Sequence, residues 1–202
     1  TSNRGGAIGT TDAGIGTTHY FNISNTTFDG NSATLQGGAI FSKFTDDNAG
    51  NHSTITGSTF TNNTAGQNGG AVYNKGTLAV DNSDFDNNTA QHGGGFFNET
   101  GATANFGENL SFTNNTAQKN GGGVYNYTGA TMTIGNNAYF SGNKAVEAAG
   151  GAVQNMGNLT LGDNITFENN SAAWGGAAIY GGSRDGQGSS TTIGNNAVFK
   201  NN

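Results

Sequence analysis

The chain has 202 residues and a formal net charge of -6, contains no cysteine and no proline, and is rich in glycine, asparagine and threonine. The acidic balance argues against a nucleic-acid partner, whose phosphates require a basic face, and against an anionic membrane surface. The lack of cysteine excludes disulfides, thiolate zinc sites and thiol catalysis.

One pattern recurs seven times, and each copy has two halves. The first half is Phe-x-x-Asn, with phenylalanines at Phe28, Phe60, Phe85, Phe112, Phe140, Phe167 and Phe199. The second half is Gly-Gly-Ala/Gly-aliphatic, which starts at Gly5, Gly37, Gly69, Gly93, Gly121, Gly150 and Gly175. Eight to ten residues lead from each phenylalanine to the next glycine pair, whereas the return takes 16 to 24. Such a period, with one rigid and one elastic half, is typical of a solenoid.

Three short strands are predicted in each repeat, and one copy shows them in chain order at 59–63, 69–74 and 77–80. Threonine, aromatic and β-branched residues form these runs, and glycine and asparagine separate them. Corners such as Gly-x-Asn at 107–109 and 135–137 require a positive φ, which glycine and asparagine tolerate. The sequence therefore predicts an all-β fold, a right-handed parallel β-helix of about seven coils with three short strands per coil.

Like residues should lie on like residues in this fold, because successive coils stack about 4.8 Å apart. The seven phenylalanines are expected to form an internal column. The asparagine of each Phe-x-x-Asn is expected to form a ladder of amide hydrogen bonds inside the coil. The glycine pair should allow a sharp turn and close contact with the neighbouring strand.

A single β-helical unit is expected over 1–202, without capping ends and cut from a longer repeat array. Three insertions lengthen individual coils, at 9–20, 43–53 and 181–190. Solenoids usually place such variable segments as loops along one edge, and the same is expected here.

Gly-Gly-Ala-Ile at 37–40 and Gly-Gly-Ala-Val at 69–72 and 150–153 alternate with Phe-x-x-Asn over the whole chain. Together they resemble the repeat signature of the chlamydial polymorphic outer-membrane proteins and of related autotransporter-like surface proteins. The resemblance implies a β-helical passenger domain, exported by an attached membrane barrel that lies outside this sequence. It also implies a location at the bacterial cell surface and a role as an adhesin that binds host cells.

Catalysis in β-helices requires two or three carboxylates that converge from adjacent coils. The densest acidic group is Asp81, Asp84 and Asp86, and the last two should face outward together on either side of Phe85. The alternatives for this group are a catalytic pair, a calcium site and a solvated strand edge, and the solvated edge is favoured. The residues that follow each phenylalanine place no two acids in adjacent coils.

Cofactor and metal motifs are not apparent in the sequence. His19, His52 and His92 occupy unlike repeat positions without metal-ligand spacing, and surface histidine is the expected role. Asp46 and Asp47 are expected at a polar loop tip, with cation binding as the lesser alternative. The glycine-rich segments lack the lysine of a phosphate-binding loop. No cofactor is predicted.

A row of aromatic residues is the most distinctive candidate for binding. The fourth residue of each glycine-pair strand is aliphatic or Phe96 and should face inward, so the fifth should face outward. The fifth position reads Gly9, Phe41, Tyr73, Phe97, Tyr125, Gln154 and Ile179. Its four successive aromatics, Phe41, Tyr73, Phe97 and Tyr125, are here called the aromatic row. We predict an exposed platform for a sugar chain or protein; alternatively, side loops cover the row or the inward–outward phase is shifted by one residue.

The leading functional hypothesis is a non-enzymatic surface adhesin that binds a host-cell surface protein or glycan through its faces and edge loops. A polysaccharide-degrading β-helix enzyme, a lyase or a glycosidase, is the main alternative. Self-association through asparagine and threonine ladders is a third hypothesis. Ice binding ranks last, because outward threonines are too interrupted. Contact with a membrane is expected only through the barrel implied by the resemblance.

Overall fold

The computed structural model describes residues 2–10, 20–44, 52–182 and 188–202, and these residues contain 28 short strands. The first fourteen strands are β1 (Ser2–Arg4), β2 (Ile8–Gly9), β3 (Asn22–Ser24), β4 (Thr27–Asp29), β5 (Ser32–Gln36), β6 (Ile40–Ser42), β7 (Ser53–Thr56), β8 (Thr59–Thr61), β9 (Thr64–Ala65), β10 (Val72–Asn74), β11 (Thr77–Asp81), β12 (Asp84–Asp86), β13 (Thr89–His92) and β14 (Phe96–Asn98). The remaining strands are β15 (Thr103–Phe106), β16 (Ser111–Thr113), β17 (Thr116–Asn120), β18 (Val124–Asn126), β19 (Thr131–Ile134), β20 (Tyr139–Ser141), β21 (Lys144–Ala145), β22 (Val153–Asn155), β23 (Asn158–Leu161), β24 (Thr166–Glu168), β25 (Ser171–Ala172), β26 (Ile179–Gly181), β27 (Ser190–Ile193) and β28 (Val198–Lys200).

Every fourth strand joins the same parallel sheet, so the chain winds into a β-solenoid of about six turns with four sheets of seven strands each. Sheet A contains β1, β5, β9, β13, β17, β21 and β25; sheet B contains β2, β6, β10, β14, β18, β22 and β26. Sheet C contains β3, β7, β11, β15, β19, β23 and β27; sheet D contains β4, β8, β12, β16, β20, β24 and β28. The predicted all-β parallel solenoid is confirmed.

A coil has four short strands rather than the three predicted. The difference arises two residues after each phenylalanine, where the backbone turns from sheet D into sheet A. At this position the chain has a glycine or an asparagine whose φ lies between 52° and 66° in all seven copies: Gly30, Asn62, Asn87, Asn114, Gly142, Asn169 and Asn201. A strand cannot pass through this left-handed conformation, which glycine and asparagine adopt most readily. The strand predicted at 59–63 therefore ends at Thr61, and a separate strand, β9, follows at Thr64–Ala65.

The predicted column of phenylalanines fills the core behind sheet D. Neighbouring rings from Phe28 to Phe199 have centroids 4.6–5.1 Å apart, and their planes are within 13° of parallel. Ile40, Val72, Phe96 and Val124 of sheet B point into the same core, as expected. Each ring thus packs on the corresponding ring of the next coil, which fixes the register of the stack.

The predicted asparagine ladder is also present, and its members from Asn63 to Asn170 are buried. Each amide nitrogen donates to the amide oxygen of the next coil at 2.8–3.0 Å, through Asn31, Asn63, Asn88, Asn115, Asn143, Asn170 and Asn202. From Asn63 onward the same nitrogen also donates to the phenylalanine carbonyl of the previous coil. These bonds satisfy polar groups that would otherwise be costly to bury.

A second buried ladder was not predicted. It joins Asn74, Asn98, Asn126 and Asn155, which end the strands of sheet B, through amide hydrogen bonds of 2.9–3.0 Å. The signal was present in the sequence, because asparagine follows the aromatic row at the sixth position of the glycine-pair strand in these four copies. The alternation that places the fourth position inward and the fifth outward also places this sixth position inward.

The three insertions occupy one kind of connection. Each lies between a strand of sheet B and the next strand of sheet C: β2 to β3, β6 to β7, and β26 to β27. Much of their length, together with His19, Asp46 and Asp47, falls outside the described residues. Within the described ranges the chain has no helix long and apolar enough to cross a membrane.

A groove beside the aromatic row

The aromatic row forms a file on the outer side of sheet B. Strand register pairs Phe41 with Tyr73, Tyr73 with Phe97, and Phe97 with Tyr125. The ring centroids are 5.2, 5.4 and 5.2 Å apart; the first two pairs are stacked and the third meets edge to face. These side chains form a cluster separate from the main core, so the inward–outward phase was predicted correctly.

The predicted exposure of the aromatic row is wrong: its four side chains are only 2–3% exposed. Met156 and Tyr127 pack against the row and help to cover it. The Tyr125 hydroxyl donates to the Met156 sulfur at 2.9 Å, and the Arg4 guanidinium lies 5.2 Å from the centre of the Phe41 ring. Residues that directly follow strands of sheet B therefore help to bury the aromatic row. This outcome matches the alternative interpretation, in which side loops cover the row.

Beyond Tyr125, the residues that continue the row differ from those predicted. Register places Gln154 beside Tyr125, and Tyr180 rather than Ile179 beside Gln154. The last copy has one additional residue before its strand, so Ile179 occupies the inward position and packs against the core. Tyr180 meets the exposed Trp174 edge to face at 5.6 Å. The aromatic surface thus resumes after Gln154.

Tyr73 is held by a carboxylate of the next coil. Its hydroxyl donates a hydrogen bond to Glu99, whose other oxygen accepts from the backbone N–H of Thr100 at 3.0 Å. Burial, together with the hydrogen bond to Glu99 and its negative charge, raises the pKa of Tyr73 above the ordinary value of 10.0. All three effects oppose formation of the tyrosinate.

This raised pKa predicts a loss of stability at high pH. Above pH 10 the folded protein retains the Tyr73 proton and the unfolded chain loses it, so this contribution to stability is complete below pH 10 and declines as the pH rises further. The check is the ultraviolet absorbance of tyrosinate, titrated for the native protein and the Tyr73→Phe variant. The two folded proteins should give the same titration, and they should differ by one tyrosine after unfolding. A difference already present in the folded state near pH 10 would contradict the assignment.

A groove of about 480 Å³ opens beside the row. Phe97 and Tyr125 form its floor, and Glu99 and Tyr127 form one wall. The opposite wall consists of three pairs of residues on the side of sheet A: Gln67 and Asn68, which follow β9, Gln91 and His92 of β13, and Lys119 and Asn120 of β17. Backbone bridges place Asn68 beside His92 and His92 beside Asn120, so this wall repeats with the coil. Its volume is within the range of small-molecule sites, about 300–1,000 Å³.

His92 is therefore part of a groove, whereas the sequence suggested only a surface histidine. Its ring lies 5.7 Å from that of Tyr125, and its Nδ1 lies 3.4 Å from the Asn120 amide nitrogen. No group of three or more histidine, aspartate or glutamate side chains is placed to hold a metal ion in the part of the chain that the structure describes. The groove thus offers amide, carboxylate, ammonium and aromatic groups.

The acidic group on β11 and β12 lies elsewhere, at the outer corner between sheets C and D. Asp84 and Asp86 flank the buried Phe85 and face outward, as predicted. Burial, and then the charge of Asp86, raises the pKa of Asp84. Asp86 accepts from the Thr113 hydroxyl at 2.5 Å, and Asp81 accepts from the Glu108 backbone N–H at 2.9 Å. Two of the three acids therefore link adjacent coils.

Comparison with known proteins identifies the repeat. Four segments match the family model of the Chlamydia polymorphic membrane protein repeat, at residues 25–43, 57–75, 109–127 and 164–182. Each segment contains both halves of the pattern and spans strands of sheets D, A and B. No curated protein and no solved structure gives a significant match. These four segments are therefore similar to the repeat of the Chlamydia polymorphic membrane proteins, in agreement with the resemblance seen in the sequence.

Proposed function

We propose that this protein is a bacterial cell-surface adhesin that binds a host-cell surface protein or glycan without catalysing a reaction. The observation that carries the proposal is the fourfold match to the polymorphic membrane protein repeat along a parallel β-solenoid. An adhesin needs a durable framework that presents binding surfaces away from the bacterium. The role of the rod is to provide that framework.

The packing supports a framework role. Columns of phenylalanine and ladders of asparagine repeat from coil to coil, so each coil is stabilised by its two neighbours. The outer faces of sheets C and D carry mostly polar side chains, and the three insertions connect sheet B to sheet C. A solenoid can therefore vary its edge and groove residues while keeping its core, which is what a binding surface requires.

The test is attachment of cultured epithelial cells to beads coated with the 202-residue chain. Beads coated with the same amount of permanently unfolded chain are the control, because they carry identical composition and charge. We expect at least tenfold more cells on beads with folded protein, and soluble folded chain should compete for attachment. Equal attachment to both kinds of bead, or attachment that soluble protein does not reduce, would refute the proposal.

A further inference from the structure

We propose that the groove beside the aromatic row binds a neutral, linear oligosaccharide that lies along the axis of the rod. This inference rests on the proposed adhesin function and names the class of ligand and its site. One wall of the site consists of Tyr127 and Glu99. The other is the wall of three residue pairs described above, here called the amide wall, with Gln91 at its centre.

The amide wall has the hydrogen-bonding capacity that sugar hydroxyls require. In the two buried ladders the amides are hydrogen-bonded to neighbouring coils. By contrast, no hydrogen bond joins the side chains of Gln67, Asn68 or Gln91 to any other described residue, and all three line the groove. An amide offers two donors and an acceptor, and a sugar hydroxyl can both donate and accept. Each of these three amides can thus bind a hydroxyl without rearrangement of the core.

The charges of the groove favour a neutral ligand. Lys119 and Glu99 provide one positive and one negative charge among the lining residues. The whole chain carries a formal charge of -6, which repels polyanions such as sulfated glycans at long range. A neutral sugar avoids this repulsion and uses the amides, the carboxylate and the ammonium group as hydrogen-bonding partners.

Aromatic surface supplies the second element of sugar recognition, because the C–H face of a sugar packs on an aromatic ring. Tyr127 is partly exposed and lies over the floor, 5.8 Å from the Phe97 ring and 5.5 Å from the Tyr125 ring. It is thus fixed by packing before a ligand arrives, which lowers the entropic cost of binding. The buried Phe97 and Tyr125 orient this ring.

The repeat of the wall fits a chain of similar units. Its residues recur at the spacing of the coils, about 4.8 Å, and an extended β-linked sugar chain advances by nearly the same distance per ring. Farther along the same face, Gln154 is 3% exposed, and its side-chain oxygen has no hydrogen-bond partner among the described residues. Tyr180 and the 57% exposed Trp174 follow it. Aromatic and amide groups therefore continue along the rod.

The test is calorimetric titration of the 202-residue chain with two neutral tetrasaccharides, chitotetraose and lacto-N-neotetraose, and with a heparin-derived tetrasaccharide. At least one neutral probe should bind, and the heparin fragment should bind at least tenfold more weakly. Tyr127→Ala should weaken neutral binding by at least tenfold, and Gln91→Ala by about threefold. Tyr139→Ala is the matched control, because it removes an exposed tyrosine from sheet D, away from the groove. It should change binding by less than twofold.

Circular dichroism of each variant separates loss of the site from loss of the fold, since Tyr127 and Gln91 both lie outside the main core. Failure of both neutral probes to bind, unchanged affinity in the folded Tyr127→Ala variant, or equal affinity for the heparin fragment would overturn the inference. Cell attachment is measured in the separate bead experiment described above. Attachment without sugar binding refutes the groove inference alone, and sugar binding without attachment refutes only the adhesin proposal.

Discussion

Gly122→Ala is expected to lower the free energy of unfolding by about 3 kcal/mol or more. A β-carbon at this position would lie 2.2 Å from the carbonyl oxygen of Gly151 and 2.5 Å from the backbone nitrogen of Lys144, both in the next coil. Neither atom belongs to a side chain that could rotate away, so the coils would have to separate. Chemical denaturation followed by circular dichroism measures the effect.

Gly181→Ala is the matched control. This glycine ends the last strand of sheet B, and among the described residues an added β-carbon would meet only the Thr191 hydroxyl, at 3.9 Å. The substitution should change the free energy of unfolding by no more than about 0.5 kcal/mol. Equal losses in the two variants would mean that close contact between coils is not what requires glycine at position 122.

The second large effect is expected for Asn115→Leu, with a loss of about 3–5 kcal/mol. Leucine is similar in size, so the change removes hydrogen bonds without opening a large cavity. The Asn115 oxygen accepts from both the backbone and the side-chain nitrogen of Asn88, and its own nitrogen donates to Asn143 and to the Phe85 carbonyl. Several buried polar groups would lose their partner at once.

Asn105→Ala provides the comparison for this ladder variant. Asn105 is exposed on sheet C, and its register neighbour Ala79 already places alanine at the equivalent position. Its substitution should change stability by less than about 0.5 kcal/mol. If denaturation showed a loss below about 1 kcal/mol for Asn115→Leu, the buried ladder would not contribute as its geometry indicates.

Repetition made the core predictable. Phe112 and Asn115 recur with the same spacing in every copy, and in a stack of coils identical positions must meet. The phenylalanine column and the first asparagine ladder follow from that one rule. The fourth strand of each coil could not be predicted from the repeat, because the left-handed φ of residues such as Asn114 is a backbone property that asparagine permits but does not enforce.

The groove could not be predicted in the same way. Its floor lies on the repeated aromatic row, but its cover comes from Glu99, Tyr127 and Met156, which share the seventh position of the glycine-pair segment and differ in residue type from copy to copy. Repeat periodicity indicated which face of sheet B the aromatics occupy, yet exposure depends on a position whose residue type varies between copies. Residues that differ between copies therefore determine which part of the aromatic row is covered and where a groove remains beside it.

Cysteine pairs on sheet C test the stacked-coil architecture most directly, because the natural chain has no cysteine. Ala79 and Asn105 are partners in register, and Thr133 is the partner of Asn105 one coil farther on. Strand spacing puts neighbours about 4.8 Å apart and second neighbours at about twice that distance, beyond the reach of a disulfide. Under mild oxidation, the Ala79→Cys/Asn105→Cys protein should close its disulfide almost completely, and Ala79→Cys/Thr133→Cys should retain free thiols. Closure of the distant pair in preference to the near pair would contradict the stacked coils.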